Sequence, residues 1–173
     1  MVQLTVAANR YSTVFVDDLA VGIEIGVVQE IVQYQTMTPV PLADPAVIGL
    51  INLRGQIVTA IDLRRRLGLP ERAAGERPFN VIVHLDDRTV SLLVDDFGDV
   101  VTRSDPPDDV PQTLTGVARE LISGVHQLED RLLLVLDAAS AIEVGEGSMA
   151  QAIDSSDDAV SARRDHSPFA VVR

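Results

Sequence analysis

Several residue types are missing from this chain, and each absence removes a class of chemistry. Cysteine is absent from all 173 residues, which excludes disulfides, thiolate nucleophiles and cysteine-ligated metals. All 14 basic residues are arginine, so P-loop lysines and Schiff-base chemistry are excluded as well. Aromatic residues make up only 3% of the chain and tryptophan is absent, so stacking platforms for single-stranded nucleic acid are scarce.

Long apolar runs are missing too. No stretch approaches the roughly 20 apolar residues that span a bilayer, and the N-terminus lacks the basic start and apolar core of a signal peptide. These features predict a cytoplasmic protein without direct membrane insertion. The formal net charge of −12 also argues against nucleic acid as a partner, because phosphate binding needs a concentrated positive field.

The chain is rich in aliphatic residues, and hydrophobic residues make up 46% of it. Abundant valine and isoleucine, with 11 glycines and 9 prolines between short apolar runs, favour β structure. We expect a short leader over residues 1–10 and a domain over residues 11–144. Residues 145–173, rich in Ser, Asp and Ala, are expected to form an acidic, disordered tail.

An internal repeat organises the predicted domain. Residues 16–32 align without gaps with residues 85–101, so that Asp-Asp turns and apolar positions coincide. Each copy has about five short strands, enough for a small closed barrel that removes exposed sheet edges. We therefore predict a mostly β fold of two small five-stranded, SH3-like β-barrels packed side by side and interleaved along the chain, with short helical turns. Chance alignment of generic β patterns is the alternative. The coinciding positions include Glu30 with Asp99, Gly49 with Gly124 and Asp62 with Asp137.

The hairpin within residues 48–70 carries the strongest candidate binding residue. Its predicted tip is Arg54-Gly55-Gln56, and Asp62 is expected to cap the short helix that follows. In the second copy the tip becomes residues 129–131 (Glu-Asp-Arg), so folding alone does not specify its charge. An exposed guanidinium on a rigid hairpin is typical of an interface anchor, which favours a binding role for Arg54.

The other polar clusters favour structural roles. The acidic pairs at residues 17–18 and 86–87 lie at predicted turns, and neither these nor the pair at 95–96 has calcium-loop spacing. His84, His126 and His166 show no spacing typical of a triad or a metal site. The run Arg64-Arg65-Arg66 has two interpretations, either helix-terminal cations with their heads in water or a contact to an acidic partner. We predict no metal, cofactor or catalytic centre.

One stretch resembles a known family. Residues 49–55 (Gly-Leu-Ile-Asn-Leu-Arg-Gly), followed by Ile57-Val58 and by residues 61–64 (Ile-Asp-Leu-Arg), are similar to the CheW family of chemotaxis coupling proteins. Residues 28–31 and 93–100 resemble an earlier and a later strand of that family. The resemblance extends from Ser12 to Val144.

The resemblance implies two five-stranded barrels and a non-catalytic adaptor in chemotaxis signal transduction. Its partners would be the cytoplasmic tip of chemoreceptors, the regulatory domain of the CheA histidine kinase and, in an array, other CheW-like domains. For the kinase, the resemblance gives only a weak assignment of contact residues, to Val110 and Pro111. An output other than motility, an enzyme and a nucleic-acid-binding barrel are the alternatives. The receptor-binding residues implied by motif position are Val28, Glu30, Gly49, Asn52, Arg54 and Ile57.

Overall fold

The computed structural model describes residues 7–144, and these form ten β-strands and three short helices. The predicted tail and residues 1–6 of the predicted leader lie outside the described residues. The strands are β1 (Asn9–Val16), β2 (Leu19–Glu24), β3 (Val28–Val32), β4 (Val47–Leu53), β5 (Gln56–Asp62), β6 (Phe79–Leu85), β7 (Arg88–Val94), β8 (Asp96–Arg103), β9 (Ile122–Gln127) and β10 (Leu132–Leu136). The helices are α1 (Leu63–Arg66), α2 (Gly116–Leu121) and α3 (Ala138–Ile142).

The strands form two five-stranded sheets that exchange one strand each. Sheet A has the order β8-β1-β2-β10-β9 and sheet B the order β3-β6-β7-β5-β4. The first half of the domain contains β1 to β5 and the second half contains β6 to β10. The third strand of each half leaves its own hairpin and pairs with the first strand of the other half, so that β3 pairs with β6 and β8 pairs with β1. Both sheets show the same order under the internal repeat, which confirms the predicted mostly β architecture of two five-stranded units side by side.

Alternate residues of the same strand pack into different cores. Val81 and Val83 enter a large cluster shared with Val14 and Val21 of sheet A, whereas Ile82 enters a smaller cluster that belongs to sheet B alone. A third cluster lies within sheet A. Because strand side chains alternate between faces, both faces of each sheet are packed, and the shared cluster joins the two sheets.

The prediction that each unit is a closed barrel is wrong. Within residues 7–144, β3 and β4 are the two edges of sheet B and do not pair with each other, and the same holds for β8 and β9 in sheet A. The segment after each third strand covers part of the remaining edge. Thr38 exchanges two 2.8 Å backbone hydrogen bonds with Leu50, and Asp108 exchanges two with Val125, at 2.8 and 2.9 Å.

These edge contacts explain why glycine recurs at the same place in both copies. A Cβ on Gly49 would lie 2.5 Å from the carbonyl oxygen of Thr38, and a Cβ on Gly124 would lie 2.9 Å from that of Asp108. Backbone atoms cannot yield to such contacts without a shift of the connecting segment. The glycines therefore let the connectors approach the edge strands.

We expect Gly49→Ala to lower the free energy of unfolding by about 1 to 3 kcal/mol, the usual cost of overpacking. Denaturant unfolding of the purified protein measures this change. Gly26→Ala is the matched control, since no atom lies within 4 Å of a Cβ placed there. Equal stability of the two variants would show that the connector moves aside freely.

The predicted short helices and their caps are confirmed. The Asp62 side chain accepts a hydrogen bond from the backbone N–H of Arg64 at 2.9 Å, and Asp137 accepts one from that of Ser140 at 3.3 Å. Helix α2 was not predicted; it lies between the Pro- and Asp-rich connector at residues 102–115 and β9. Its N-cap, Thr115, is a residue type that favours helix starts, but its side chain makes no capping hydrogen bond.

The arginines of the Arg64-Arg65-Arg66 run lie in the last turn of α1, as the first interpretation has it, but the heads of Arg64 and Arg66 bind groups of this chain. Arg64 has 12% of its side-chain surface exposed and bonds to Asp95 at 2.8 Å. Arg66 donates to carbonyl oxygens around the end of α3, including that of Ser140 at 2.6 Å. Arg65 donates to a backbone carbonyl and pairs with a nearby glutamate. Arginine suits this role because its planar head donates several hydrogen bonds at once.

Candidate binding site at the first hairpin tip

The tip between β4 and β5 is a two-residue turn with an unusual occupant. Leu53 and Gln56 are the last paired residues, and the two between them, Arg54 and Gly55, have φ of 52° and 85°. Positive φ at both central positions defines a type I′ turn, which favours Asn, Asp or Gly. The β1–β2 and β6–β7 turns use aspartate at positive φ instead. Arginine at this position costs backbone energy, which points to a function for its side chain.

Asn52 stabilises the turn on which Arg54 is carried. Its Oδ1 accepts a hydrogen bond from the Gly55 N–H at 2.9 Å. Ile57 is the cross-strand partner of Asn52 and is 61% exposed. An exposed apolar side chain beside a fixed polar tip is the composition of a small interface patch.

Arg54 forms a two-pronged ion pair with Glu30 of β3. Its two terminal nitrogens lie 2.5 and 2.8 Å from the two carboxylate oxygens, and the hydrogen bond and charge of Glu30 raise the pKa of Arg54 further above its ordinary value. The side chain of Arg54 is 75% exposed and that of Glu30 is 26% exposed. Pairs this exposed contribute little to stability, so the pair chiefly orients the guanidinium.

The ion pair bridges the open side of sheet B. Glu30 lies on edge strand β3 and Arg54 follows edge strand β4, and between them is a shallow depression whose lining also includes Gln29, Leu53 and Gln56. The sequence did not single out Gln29 or Leu53, because neither side chain has a distinctive chemistry. Under the internal repeat the equivalent pair is Asp99 and Glu129, two acids that cannot pair, so this arrangement is specific to the first half.

Two of the predicted receptor-binding residues lie behind this surface. Gly49 is buried beneath the connector, and Val28 is half-buried against the shared core. Val28 precedes a bulge at Gln29, and a bulge changes the direction of the side chains that follow it, here Glu30. Gly49 and Val28 therefore position the edge strands, whereas Glu30, Asn52, Arg54 and Ile57 present the surface.

The predicted kinase-binding residues lie elsewhere. Val110 and Pro111 are half-buried in the connector that covers the edge of sheet A. Val110 packs against the shared core, and the Pro111 carbonyl accepts a hydrogen bond from Arg119 at 3.1 Å. The structure thus separates these residues from the hairpin tip, which is compatible with two binding faces.

No group of three or more acidic or histidine side chains within residues 7–144 could hold a metal ion. Over the same residues, no helix is both long enough and apolar enough to cross a membrane.

Comparisons with known proteins agree with the fold. The family model described as a CheW-like domain matches residues 10–146. The chemotaxis protein CheW of Bacillus subtilis is 32% identical over 125 residues, which cover 70% of this chain and 79% of the relative. That of Treponema pallidum is 35% identical over 123 residues, covering 67% and 71%.

A solved structure shows the same architecture. The crystal structure of the scaffolding protein TtCheW from Thermoanaerobacter tengcongensis superposes with a TM-score of 0.72, covering 82% of this chain and 97% of that protein at 23% sequence identity. The family model spans well over half of the chain, and the Bacillus subtilis relative covers 70% of it. The chain belongs to the CheW-like domain family.

Proposed function

We propose that this protein is a non-catalytic adaptor that couples chemoreceptors to the CheA histidine kinase in chemotaxis signalling. Membership of the CheW-like domain family supports this role, as does the name chemotaxis protein CheW carried by its relatives. We expect it to act in the cytoplasm and to be recruited to receptor arrays. Its effect would come from fixing the relative geometry of receptor and kinase, so that a receptor rearrangement biases kinase activity.

The observation that carries the receptor assignment is the hairpin tip. Arg54 has a backbone conformation that arginine rarely adopts, and its guanidinium is paired with Glu30 while the side chain remains 75% exposed. An oriented, exposed guanidinium beside the apolar surface of Ile57 matches the composition of interface anchors. We assign receptor binding to Glu30, Asn52, Arg54 and Ile57, with Val28 and Gly49 in support.

The kinase assignment is a separate part of the proposal. Val110 and Pro111 mark the covered edge of sheet A, away from the hairpin tip of sheet B. An adaptor needs two faces that can be occupied at once, and these two edges meet that need. Other CheW-like domains in an array could occupy either face.

Co-sedimentation tests the proposal directly. Purified protein is mixed with receptor signalling fragments assembled on vesicles and with CheA, and kinase activity is measured in the pellet. We expect CheA to enter the pellet and gain activity only when this protein is present. If CheA sediments equally without it, the adaptor role is refuted.

A further inference from the structure

The two halves meet at two junctions that the internal repeat relates to each other. At the first junction Arg64 and Arg72 converge on Asp95, at 2.8 and 2.6 Å. Arg72 also donates to Asp62 at 2.9 Å. At the second junction the equivalent positions hold Ala139 for Arg64, Gly26 for Asp95 and Asp137 for Asp62.

The second junction is a groove of about 330 Å³ instead of an ionic cluster. Ala139, which replaces Arg64, lines this groove, and a depression of about 400 Å³ whose lining includes Asp62 and Arg72 lies at the first junction. The walls include the apolar side chains of Val27, Leu85 and Leu136, and the acceptors are the carboxylates of Glu24 and Asp137.

The first junction shows which group fits such a place. There the carboxylate of Asp62 accepts two hydrogen bonds from the Arg72 guanidinium while it caps its helix. Asp137 caps α3 in the same way, through Ser140. Neither Glu24 nor Asp137 forms an ion pair with an arginine of residues 7–144.

We propose that this groove binds an arginine side chain presented by a partner polypeptide. The guanidinium bonds to Asp137 and Glu24, and its aliphatic stem lies along Val27 and Leu136. The net charge of −12 attracts a basic partner. Lysine fits less well, because it cannot make the planar, forked contact. The groove shares no residue with the hairpin site, so it adds a contact that is independent of the proposed receptor binding.

The probe is the tripeptide acetyl-Ala-Arg-Ala-amide, titrated into ¹⁵N-labelled full-length protein and followed by NMR. The matched peptide with lysine in place of arginine measures preference for the guanidinium. Asp137→Asn with Glu24→Gln removes both charges, and asparagine retains the helix cap. Glu120→Gln on exposed α2 is the control for general loss of negative charge.

The arginine peptide is expected to shift resonances of Val27, Ser123 and Ala139 saturably, with affinity about tenfold weaker in the double variant and unchanged in Glu120→Gln. Shifts spread over the acidic surface, equal binding of the lysine peptide, or no binding would overturn the proposal. The full chain also carries Arg163 and Arg164. If their joint replacement by alanine alone moves the groove resonances, the occupant is this chain's own C-terminal segment and the partner assignment is wrong.

Discussion

Asp95→Ala is expected to lower the free energy of unfolding by about 2 to 4 kcal/mol, because it leaves two partly buried arginines without their shared anion. Asp95 accepts hydrogen bonds from Arg64, from Arg72 and from the backbone N–H of Asp17, the last at 2.6 Å. The value lies below that of a fully buried pair, since 21% of the Asp95 side chain is exposed and water screens the remaining charges.

The loss should be specific to this carboxylate. Asp96→Ala is the matched control, since Asp96 is exposed and its side chain bonds only to the N–H of Phe97 among the contacts seen in residues 7–144. Urea unfolding of both variants measures the difference. Adding Arg72→Met to Asp95→Ala should recover part of the loss, because it removes one of the uncompensated charges. Equal stability of the two aspartate variants would show that the cluster is not stabilising.

The same interaction predicts a pH dependence. Partial burial acts to raise the pKa of Asp95, but hydrogen bonds from the Asp17 N–H, Arg72 and Arg64 outweigh it and leave the pKa below its ordinary value of 3.8. A lowered folded-state pKa stabilises the protein above the unfolded-state value, and this contribution is lost as the pH falls through the folded value. The stability difference between wild type and Asp95→Asn should therefore be constant above about pH 5 and shrink on acidification below about pH 4.

The ionic cluster of Asp95, Arg64 and Arg72 could not be predicted from the sequence, unlike the strands and hairpins. Alternating apolar residues and the Asp-Asp turns predicted the strands, and the recurring Gly49 and Gly124 predicted equivalent hairpins. These signals are local or repeated, so a single chain displays them. Asp95 lies 31 residues from Arg64, and nothing in either residue's surroundings indicates that they meet.

The sequence predicted interleaved units but not which strands they exchange, namely β3 and β8, for the same reason. A strand pattern specifies which face is apolar but not which neighbour supplies the hydrogen bonds. The expected closed barrels failed at this step, because the edges are covered by connectors and by the Glu30–Arg54 pair. At the site itself the sequence predicted which residue is exposed, and the structure added its conformation and its partner.

Arg54→Glu is expected to weaken binding to receptor signalling fragments about 10- to 100-fold, if Arg54 is an anchor in the interface. The substitution places a carboxylate next to Glu30 and removes the exposed guanidinium. Binding is measured by titration of labelled receptor fragments, and far-UV circular dichroism checks the fold. Arg131→Glu is the matched control, because Arg131 lies at the predicted tip of the second hairpin and is paired with Asp130.

A charge swap separates direct contact from support of the hairpin. Arg54→Glu combined with Glu30→Arg restores an ion pair across the open side of sheet B but moves the guanidinium from the tip to β3. If the pair only holds the hairpin in place, the swap recovers binding. If Arg54 itself contacts the receptor, the swap stays as weak as the single variant. Wild-type binding by Arg54→Glu would refute the receptor assignment and leave the backbone strain at this residue without a function.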